Sequence, residues 1–151
     1  KSTARYSLYT DGASRKDGRG GWGFVLFCDG EEILYDYGGK RHTTNMEMEL
    51  MAPVKALQSI RPGAKLTIYS DSKYVVDGIT DHMDTWIRAN WRTGGNKPIK
   101  HKELWETLGH LDCDFSIKWQ WVKGHSANPG NDRADELATL GVGTLTDGDG
   151  Q

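Results

Sequence analysis

Two segments far apart in the chain have the composition of β-strands, and both end in an aspartate: residues 8–12 (LYTDG) and 68–72 (IYSDS). Alternate residues of a strand share a face, so Asp11 lies on the same face as Tyr9, and Asp71 lies on the same face as Tyr69. If the strands are neighbours, both carboxylates emerge at one edge of a sheet, where open α/β sheets bind ligands. Either aspartate alone could simply begin a turn. The matched pair favours a site in which a divalent cation removes the repulsion between two carboxylates.

Strand and helix patterns follow one another in an order typical of an α/β domain. Asp29-Gly30 is a two-residue hairpin signal between the second and third strands, so the first three strands are predicted to be antiparallel. The later strand-helix-strand order implies parallel pairing. The predicted strands are residues 6–10, 22–28, 31–37, 65–70 and 115–121, and a loop at 12–21 separates the first from the second. The predicted helices begin near 44–45 and continue at 74–79, 83–90, 101–111 and 129 to about 140.

Capping signals fix where two of these helices begin. Thr44 with Glu47 three residues later matches a capping box, and Asn128 before Pro129 is a good N-cap and first-turn pair. Pro53 lies inside the first helix, where it predicts a kink or a freed carbonyl one turn earlier.

The length and composition are those of one folded domain. A chain of 151 residues with six tryptophans can bury a substantial core. We expect residues 1–141 to form this domain and the Gly-, Thr- and Asp-rich residues 142–151 to be a flexible tail. The net charge of −2 argues weakly against a typical basic nucleic-acid binder, but the net value hides how the charge is distributed.

The cysteine pattern and the chain's apolar segments predict a cytoplasmic protein. Cys28 and Cys113 lie singly in strand-like runs without CxxC spacing, which gives no support for zinc or redox chemistry. We expect both to be buried free thiols in a reducing compartment. No signal peptide is predicted, and no apolar run approaches the length of a membrane span.

Helical spacing selects one acid in each of two acidic segments. In the last helix Asp135 flanks the apolar stripe and can face the sheet edge, whereas Glu136 faces water. In the first helix Glu47 and Glu49 lie on different sides, and if Glu47 caps the helix then Glu49 is the free acid. A solvated acidic face is the alternative explanation for either segment.

Four separated motifs closely resemble the signatures of bacterial-type ribonuclease H, type 1. They are residues 9–12 (YTDG), 43–51 (TTNMEMELM), 70–72 (SDS) and 121–138, which begin WVKGH and end NDRADELA. The resemblance implies a five-stranded mixed sheet in the order 3-2-1-4-5 with helices on both faces. It also implies hydrolysis of the RNA strand of RNA/DNA hybrids to 3′-hydroxyl and 5′-phosphate ends. The family's four carboxylates fall on Asp11, Glu49, Asp71 and Asp135, and its loop histidine falls on His125.

The chemistry of these residues suits metal-dependent hydrolysis. Two cations about 4 Å apart can stabilise both ends of a phosphodiester displacement. A ligand set made only of carboxylates favours Mg²⁺, with Mn²⁺ as a substitute, over zinc. We expect Asp11 to bridge the ions, with Asp71, Glu49 and Asp135 completing the two sites. His125 fits proton transfer or product departure better than metal binding, and a surface histidine without function is the alternative.

The expected substrate contacts combine polar and basic residues with tryptophans. Thr44 and Asn45 lie where the family reads the hybrid backbone, and residues 86–102 resemble the family's basic protrusion. The further candidates are Lys73, Trp86, Trp91, Lys97, Lys100 and Trp105. Interleaved aromatic and basic residues are typical of nucleic-acid binding, but core packing is the alternative for the tryptophans.

Two features depart from the family pattern. Residues 14–20 lack the Asn-Pro-Gly of many relatives, so Arg15, Lys16 and Arg19 would have to replace its contacts electrostatically. Lys73 stands where many relatives have glutamine.

Other functions remain open at this point. A non-catalytic hybrid-binding module would show the same basic residues but would not need four carboxylates. A DNA-strand-transfer enzyme of the same superfamily is disfavoured by Gly124-His125, and a domain excised from a reverse transcriptase polyprotein is a third alternative. The preferred prediction is a monomeric nuclease that acts on RNA/DNA hybrids and does not bind membranes.

Overall fold

The computed structural model describes residues 4–124 and 127–145 and is built on one five-stranded sheet. The sheet order is β3-β2-β1-β4-β5, as predicted. Strands β1 to β3 pair in antiparallel fashion, whereas β4 pairs in parallel with both β1 and β5. The strands are β1 (Tyr6–Ser14), β2 (Gly20–Cys28), β3 (Glu31–Lys40), β4 (Lys65–Ser70) and β5 (Ser116–Trp121).

Helices cover both faces of this sheet. They are α1 (Asn45–Gln58), α2 (Lys73–Asp77), α3 (Met83–Arg88), α4 (Lys102–Cys113) and α5 (Pro129–Gly143), with a π-helical turn at Gly78–His82 between α2 and α3. Helix α1 packs on β1 and β2, and α5 packs on the opposite face of β1, β2 and β3. The main core lies on the α1 side, where Leu8, Ile68 and Leu50 are completely buried.

Helix α1 begins where predicted, but only one of the two hydrogen bonds of a capping box forms. The Thr44 hydroxyl accepts a hydrogen bond from the Glu47 main-chain N–H at 3.2 Å. The Glu47 carboxylate instead accepts from the Thr43 hydroxyl and from Lys40 Nζ, the latter at 3.2 Å. The helix continues through Pro53 to Gln58 as one element.

Strand β1 is longer than predicted, so Asp11 does not end it. The parallel pairing with β4 stops at the pair Thr10–Ser70, but the antiparallel pairing with β2 continues through Asp11 to Ser14. Period-two hydrophobicity does not reveal this extension, because its residues are small or polar. The predicted loop at 12–21 is therefore reduced to residues 15–19.

Two further predictions differ from the structure. Helix α5 runs to Gly143 instead of about residue 140, and Val142 is buried in it. The expectation of buried thiols is wrong: Cys28 is half-buried, and Cys113 is exposed at the end of α4 rather than in a strand. Within residues 4–124 and 127–145, no helix combines the length and the apolar character that a membrane span requires.

Candidate active site

Three carboxylates converge where β1 and β4 separate. Each of Asp11, Glu49 and Asp71 offers an oxygen, and these oxygens all lie within 4.8 Å of one another. Asp11 stands one residue beyond the last β1–β4 pair, and Asp71 directly follows β4. The rings of Tyr9 and Tyr69 stack with centroids 4.7 Å apart, which confirms that both strands present these positions on the same face.

Glu49 reaches the two aspartates because α1 crosses β1 at a glycine. A Cβ atom on Gly12 would lie 2.3 Å from the main-chain nitrogen of Glu49 and 2.4 Å from the main-chain carbon of Met48. Only a residue without a side chain allows this approach. Glu47, the other acid of this helix, is bonded to Thr43 and Lys40 instead, so the choice of Glu49 as the free acid matches the structure.

Ser72 connects two of the carboxylate-bearing elements. It is 5% exposed, and its hydroxyl oxygen accepts from the Val75 main-chain N–H at 3.2 Å, which caps α2. The same hydroxyl acts on the Glu49 carboxyl and opposes the rise of its pKa, so one side chain connects the turn after β4 with α1. Ser72 belongs to the motif at 70–72 but was not predicted as a site residue. A serine before a helical pattern signals an N-cap, whereas its proximity to Glu49 depends on tertiary packing.

Helix α5 adds a fourth acid to the cluster. Asn128 Oδ1 accepts from the Asn131 main-chain N–H at 3.1 Å and begins the helix. Asp135, two turns further on, lies close enough to the Asp11 carboxyl to raise its pKa. Glu136 points away from the sheet with 63% of its side chain exposed and pairs with Arg133 at 2.7 Å. The helical-wheel prediction for both acids therefore matches their placement.

Burial and like charge strongly perturb this cluster. Burial of Asp11, the Asp71 charge and the neighbouring Asp135 together raise the pKa of the Asp11 carboxyl to about 8, although the Gly12 main-chain N–H opposes the shift. Burial and the Asp71 charge also raise the pKa of Glu49, although the Ser72 hydroxyl opposes the shift. At neutral pH the cluster therefore holds a proton or requires positive charge. All-oxygen donors at this spacing fit a hard divalent cation.

Glu47 behaves in the opposite way. Although burial opposes the change, the hydrogen bonds from Thr43 and Lys40 hold the pKa of Glu47 below its usual value. Its charge is thus satisfied by its neighbours, which gives it a structural role at the start of α1.

The predicted substrate residues fall into two groups. Thr44, Asn45, Lys73, Lys97 and Lys100 are exposed, as contact with a large ligand requires. Trp86 is half-buried, and its ring lies 6.1 Å from that of Trp91 and 5.0 Å from that of Trp105, measured between centroids.

The predictions that Trp91 and Trp105 contact substrate are wrong. Trp105 is completely buried and donates its indole N–H to the Tyr74 hydroxyl at 3.2 Å, and Trp91 is only 9% exposed. Trp105 fills the space beside Gly78, where a Cβ atom would lie 2.1 Å from its ring. These tryptophans are core residues, the alternative that their size already offered.

His125 lies outside the described residues. The preceding residue, Gly124, is described, and a Cβ atom there would lie 2.9 Å from Asp71 Oδ2. The main chain that leads to His125 therefore passes beside the cluster.

The basic loop between β1 and β2 is only partly available for ligand contact. The Arg19 guanidinium donates to Asp17 at 2.8 Å and to the Leu145 main-chain oxygen at 3.1 Å, so it ties the loop to the end of α5. Arg15 and Lys16 are exposed.

The structure is an α/β domain whose mixed sheet carries a carboxylate cluster beside its central strand, an arrangement that suits metal-dependent chemistry. The sequence model of the RNase H family matches residues 3–142. A ribonuclease H of Hahella chejuensis is 49% identical over 136 residues, which cover 89% of this chain and 91% of that protein. The chain belongs to the RNase H family, and it is a nuclease.

Solved structures share the fold. LC9-RNase H1, described as a type 1 RNase H with the type 2 active-site motif, has a TM-score of 0.84 at 24% identity and covers 97% of this chain and 75% of its own. The foamy viral protease-reverse transcriptase in complex with RNA/DNA hybrid has a TM-score of 0.72 at 23% identity, covering 94% of this chain and 20% of its own.

Proposed function

We propose that this protein is a type 1 ribonuclease H, an endonuclease that hydrolyses the RNA strand of RNA/DNA hybrids to 3′-hydroxyl and 5′-phosphate ends. The observation that carries the proposal is the convergence of Asp11, Glu49 and Asp71, whose ligand oxygens lie within 4.8 Å of one another, with Asp135 beside Asp11. Membership of the RNase H family supports cleavage of RNA in hybrids. We further propose that it acts as a monomer in the cytoplasm.

The cluster fits Mg²⁺, with Mn²⁺ as a substitute, because it offers only carboxylate oxygens and carries mutually repelling charges. Two such ions would stabilise the attacking and the leaving oxygen of the phosphodiester displacement. The candidate ligands are Asp11, Glu49, Asp71 and Asp135. Of these, Asp11 is the most buried and interacts with both Asp71 and Asp135, and we propose it as the ligand that two ions would share.

The protein's own groups pre-organise this site. The close contact between α1 and Gly12 fixes the distance of Glu49 from β1, and the buried Ser72 lies beside Glu49 and caps α2. Because these positions are set by packed main chain, little reorganisation is needed when substrate binds. We assign His125 to proton transfer or product departure, on the ground that its neighbour Gly124 lies against Asp71.

Substrate binding is assigned to the exposed polar and basic residues around the cluster. Thr44 and Asn45 at the start of α1 suit contacts to one strand, and Lys97 and Lys100 between α3 and α4 suit phosphates of the duplex. Lys73 lies two residues from Asp71, close enough to neutralise a phosphate beside the cluster.

The deciding experiment incubates an end-labelled RNA/DNA hybrid, a DNA duplex and an RNA duplex with the protein, with and without Mg²⁺. We expect Mg²⁺-dependent cleavage of the hybrid's RNA strand alone, with fragments whose 3′ ends can be extended by a polymerase. The variant Asp11→Asn should lose nearly all cleavage, because an amide cannot supply an anionic bridging oxygen. Hybrid binding without cleavage would instead identify a binding module, and joining of DNA strands would identify a strand-transfer enzyme.

A further inference from the structure

The main chain of Asp71 is held by an indole from the neighbouring strand. Trp121 is the last residue of β5 and stands opposite Ser70 of β4. The Val122 main-chain N–H donates to the Ser70 oxygen at 2.9 Å, and this bond ends the pairing of the two chains. Asp71 lies just beyond it, and its main-chain oxygen accepts from Trp121 Nε1 at 3.1 Å. The Trp121 side chain thus continues the hydrogen bonding between β5 and the β4 segment by one residue, to Asp71.

The indole ring of Trp121 is itself contacted by Lys73 on its solvent-facing side. Lys73, the first residue of α2, places its ammonium 4.8 Å from the centroid of the Trp121 ring. An ammonium over an indole face at this distance is an attractive cation–π contact. Trp121 is 38% exposed and is not part of the buried core, so the contact with Lys73 lies at the protein surface.

We propose that Trp121 is a positioning residue for the carboxylate cluster, acting through the main chain of Asp71. The inference rests on the proposed function. Asp71 sits in a short turn between β4 and α2, and the direction of its carboxyl follows that turn. Ser72 anchors the turn to the start of α2 through the Val75 main-chain N–H, and Trp121 anchors it to β5. With one anchor removed, the turn can shift, and the spacing between Asp71 and the other ligands is no longer fixed.

The test replaces the indole with a ring that lacks the N–H group. Trp121→Phe keeps an aromatic face for Lys73 but removes the bond to Asp71. The matched control is Trp119→Phe on the same strand, since Trp119 Nε1 also donates a bond, to Asp112 Oδ1 at 2.8 Å, but toward α4 and away from the cluster. Mg²⁺ affinity is measured by calorimetry on the full chain without substrate, and kcat and KM are measured with a labelled hybrid over a range of Mg²⁺ concentrations.

We expect W121F to bind Mg²⁺ about three- to tenfold more weakly than the parent, the range set by the loss of one hydrogen bond. Its kcat should fall by a similar factor at low Mg²⁺ and recover at high Mg²⁺, with an unchanged KM for the hybrid. W119F should keep the parent's Mg²⁺ affinity and kcat, even if its melting temperature falls. This pattern separates positioning of a ligand from a general loss of stability.

Three results would overturn the inference. W121F with the parent's Mg²⁺ affinity would show that the bond does not position Asp71. A raised KM with unchanged Mg²⁺ affinity would make Trp121 a substrate contact. Failure of W121F to fold where W119F folds would make its role structural. If the parent itself neither binds Mg²⁺ nor cleaves the hybrid, the proposed function fails. This outcome is separate from failure of the inference about Trp121, because it is seen without any variant.

Discussion

Asp11 is 7% exposed and lies beside three further acids, so the ionisation of its carboxyl is opposed in the folded protein. Its pKa is raised from the ordinary value of 3.8 to about 8. Between these pH values the folded chain binds a proton that the unfolded chain has released. Linkage then requires the free energy of unfolding to fall as the pH rises from about 4 to about 8, and to level off above the folded pKa.

The raised pKa of Asp11 predicts an unusual effect of Asp11→Asn. In chelator at pH 8 the variant should melt at a higher temperature than the parent, because one repelling charge is gone, and the difference should shrink toward pH 5. Saturating Mg²⁺ should raise the melting temperature of the parent but hardly that of the variant.

Melting curves of both proteins across this pH range, in chelator and in Mg²⁺, provide the measurement. Glu136→Gln is the control, since it removes a carboxylate from the exposed side of α5 and should leave the pH dependence of the parent intact. A variant that melts below the parent in chelator at pH 8 would show that the acids do not repel as described.

The two acids at the start of α1 should differ sharply in function. Glu49→Gln should reduce hybrid cleavage by at least about a hundredfold, which corresponds to about 2.7 kcal/mol of barrier. Glu47→Gln should leave cleavage near the parent's and lower the free energy of unfolding by about 0.5–1 kcal/mol, because only its bonds to Thr43 and Lys40 are weakened. Cleavage rates and urea unfolding are measured for both variants. A larger loss of cleavage in Glu47→Gln than in Glu49→Gln would show that Glu47, and not Glu49, belongs to the site.

Among single residues, the placement of the acids was predicted better than that of the tryptophans. Strand and helix periodicity indicate which face an acid occupies, so the sides taken by Asp11 and Asp135 could be predicted from the pattern, whereas Glu49 and the complete set of four were indicated by the family resemblance. No local pattern separates a stacking tryptophan from a core tryptophan. Trp105 is buried because Gly78 and α4 leave room for its ring, and that space exists only in the folded chain.

The docking of α5 depends on glycines at its contact with the sheet. A Cβ atom on Gly141 would lie 2.2 Å from the Gly38 main-chain oxygen, whereas a Cβ atom on Gly143, two residues later, would meet nothing within 4 Å. Gly141→Ala should therefore lower the free energy of unfolding by about 1–3 kcal/mol through overpacking. Gly143→Ala should be neutral or raise it by up to about 1 kcal/mol, because alanine favours the helix.

Chemical denaturation of the two variants measures this difference. Equal stability of both would mean that α5 does not approach β3 as closely as described. The comparison is well matched, because both substitutions add the same methyl group to the same end of one helix.

The elements themselves were largely predictable, and their ends were not. Capping residues located the starts of α1 and α5, since a cap is a local signal. The end of β1 depends on its partner β2, which continues the pairing to Ser14, and the end of α5 depends on burial of Val142. Both ends depend on contacts between different elements, and the sequence of one segment alone does not predict such contacts.

On the scale of the whole molecule, a net charge of −2 coexists with an acidic cluster and exposed basic residues in the segment between α3 and α4. The double variant Lys97→Ala/Lys100→Ala should raise KM for the hybrid and reduce the slope of log KM against log salt by about 1–2, since up to two phosphate contacts are lost. Its kcat should stay close to the parent's. The control is Arg61→Ala/Lys65→Ala, which removes two exposed charges at the opposite end of β4 from Asp71.

Steady-state cleavage measured at several salt concentrations checks this prediction. An unchanged salt slope in the first double variant, or an equal change in the second, would show that the segment between α3 and α4 does not grip the duplex.

The carboxylates come from β1, α1, the turn after β4 and α5, so no contiguous piece of the chain contains the set. Pairings between distant segments form late in folding, because the loops that join them must close first. In a nascent or partly unfolded chain, α5 has not yet docked on the sheet, so Asp135 does not lie beside Asp11. On the proposed function, the ability to cut the RNA of a hybrid therefore arises only with the completed fold, and a partly folded copy lacks part of its ligand set.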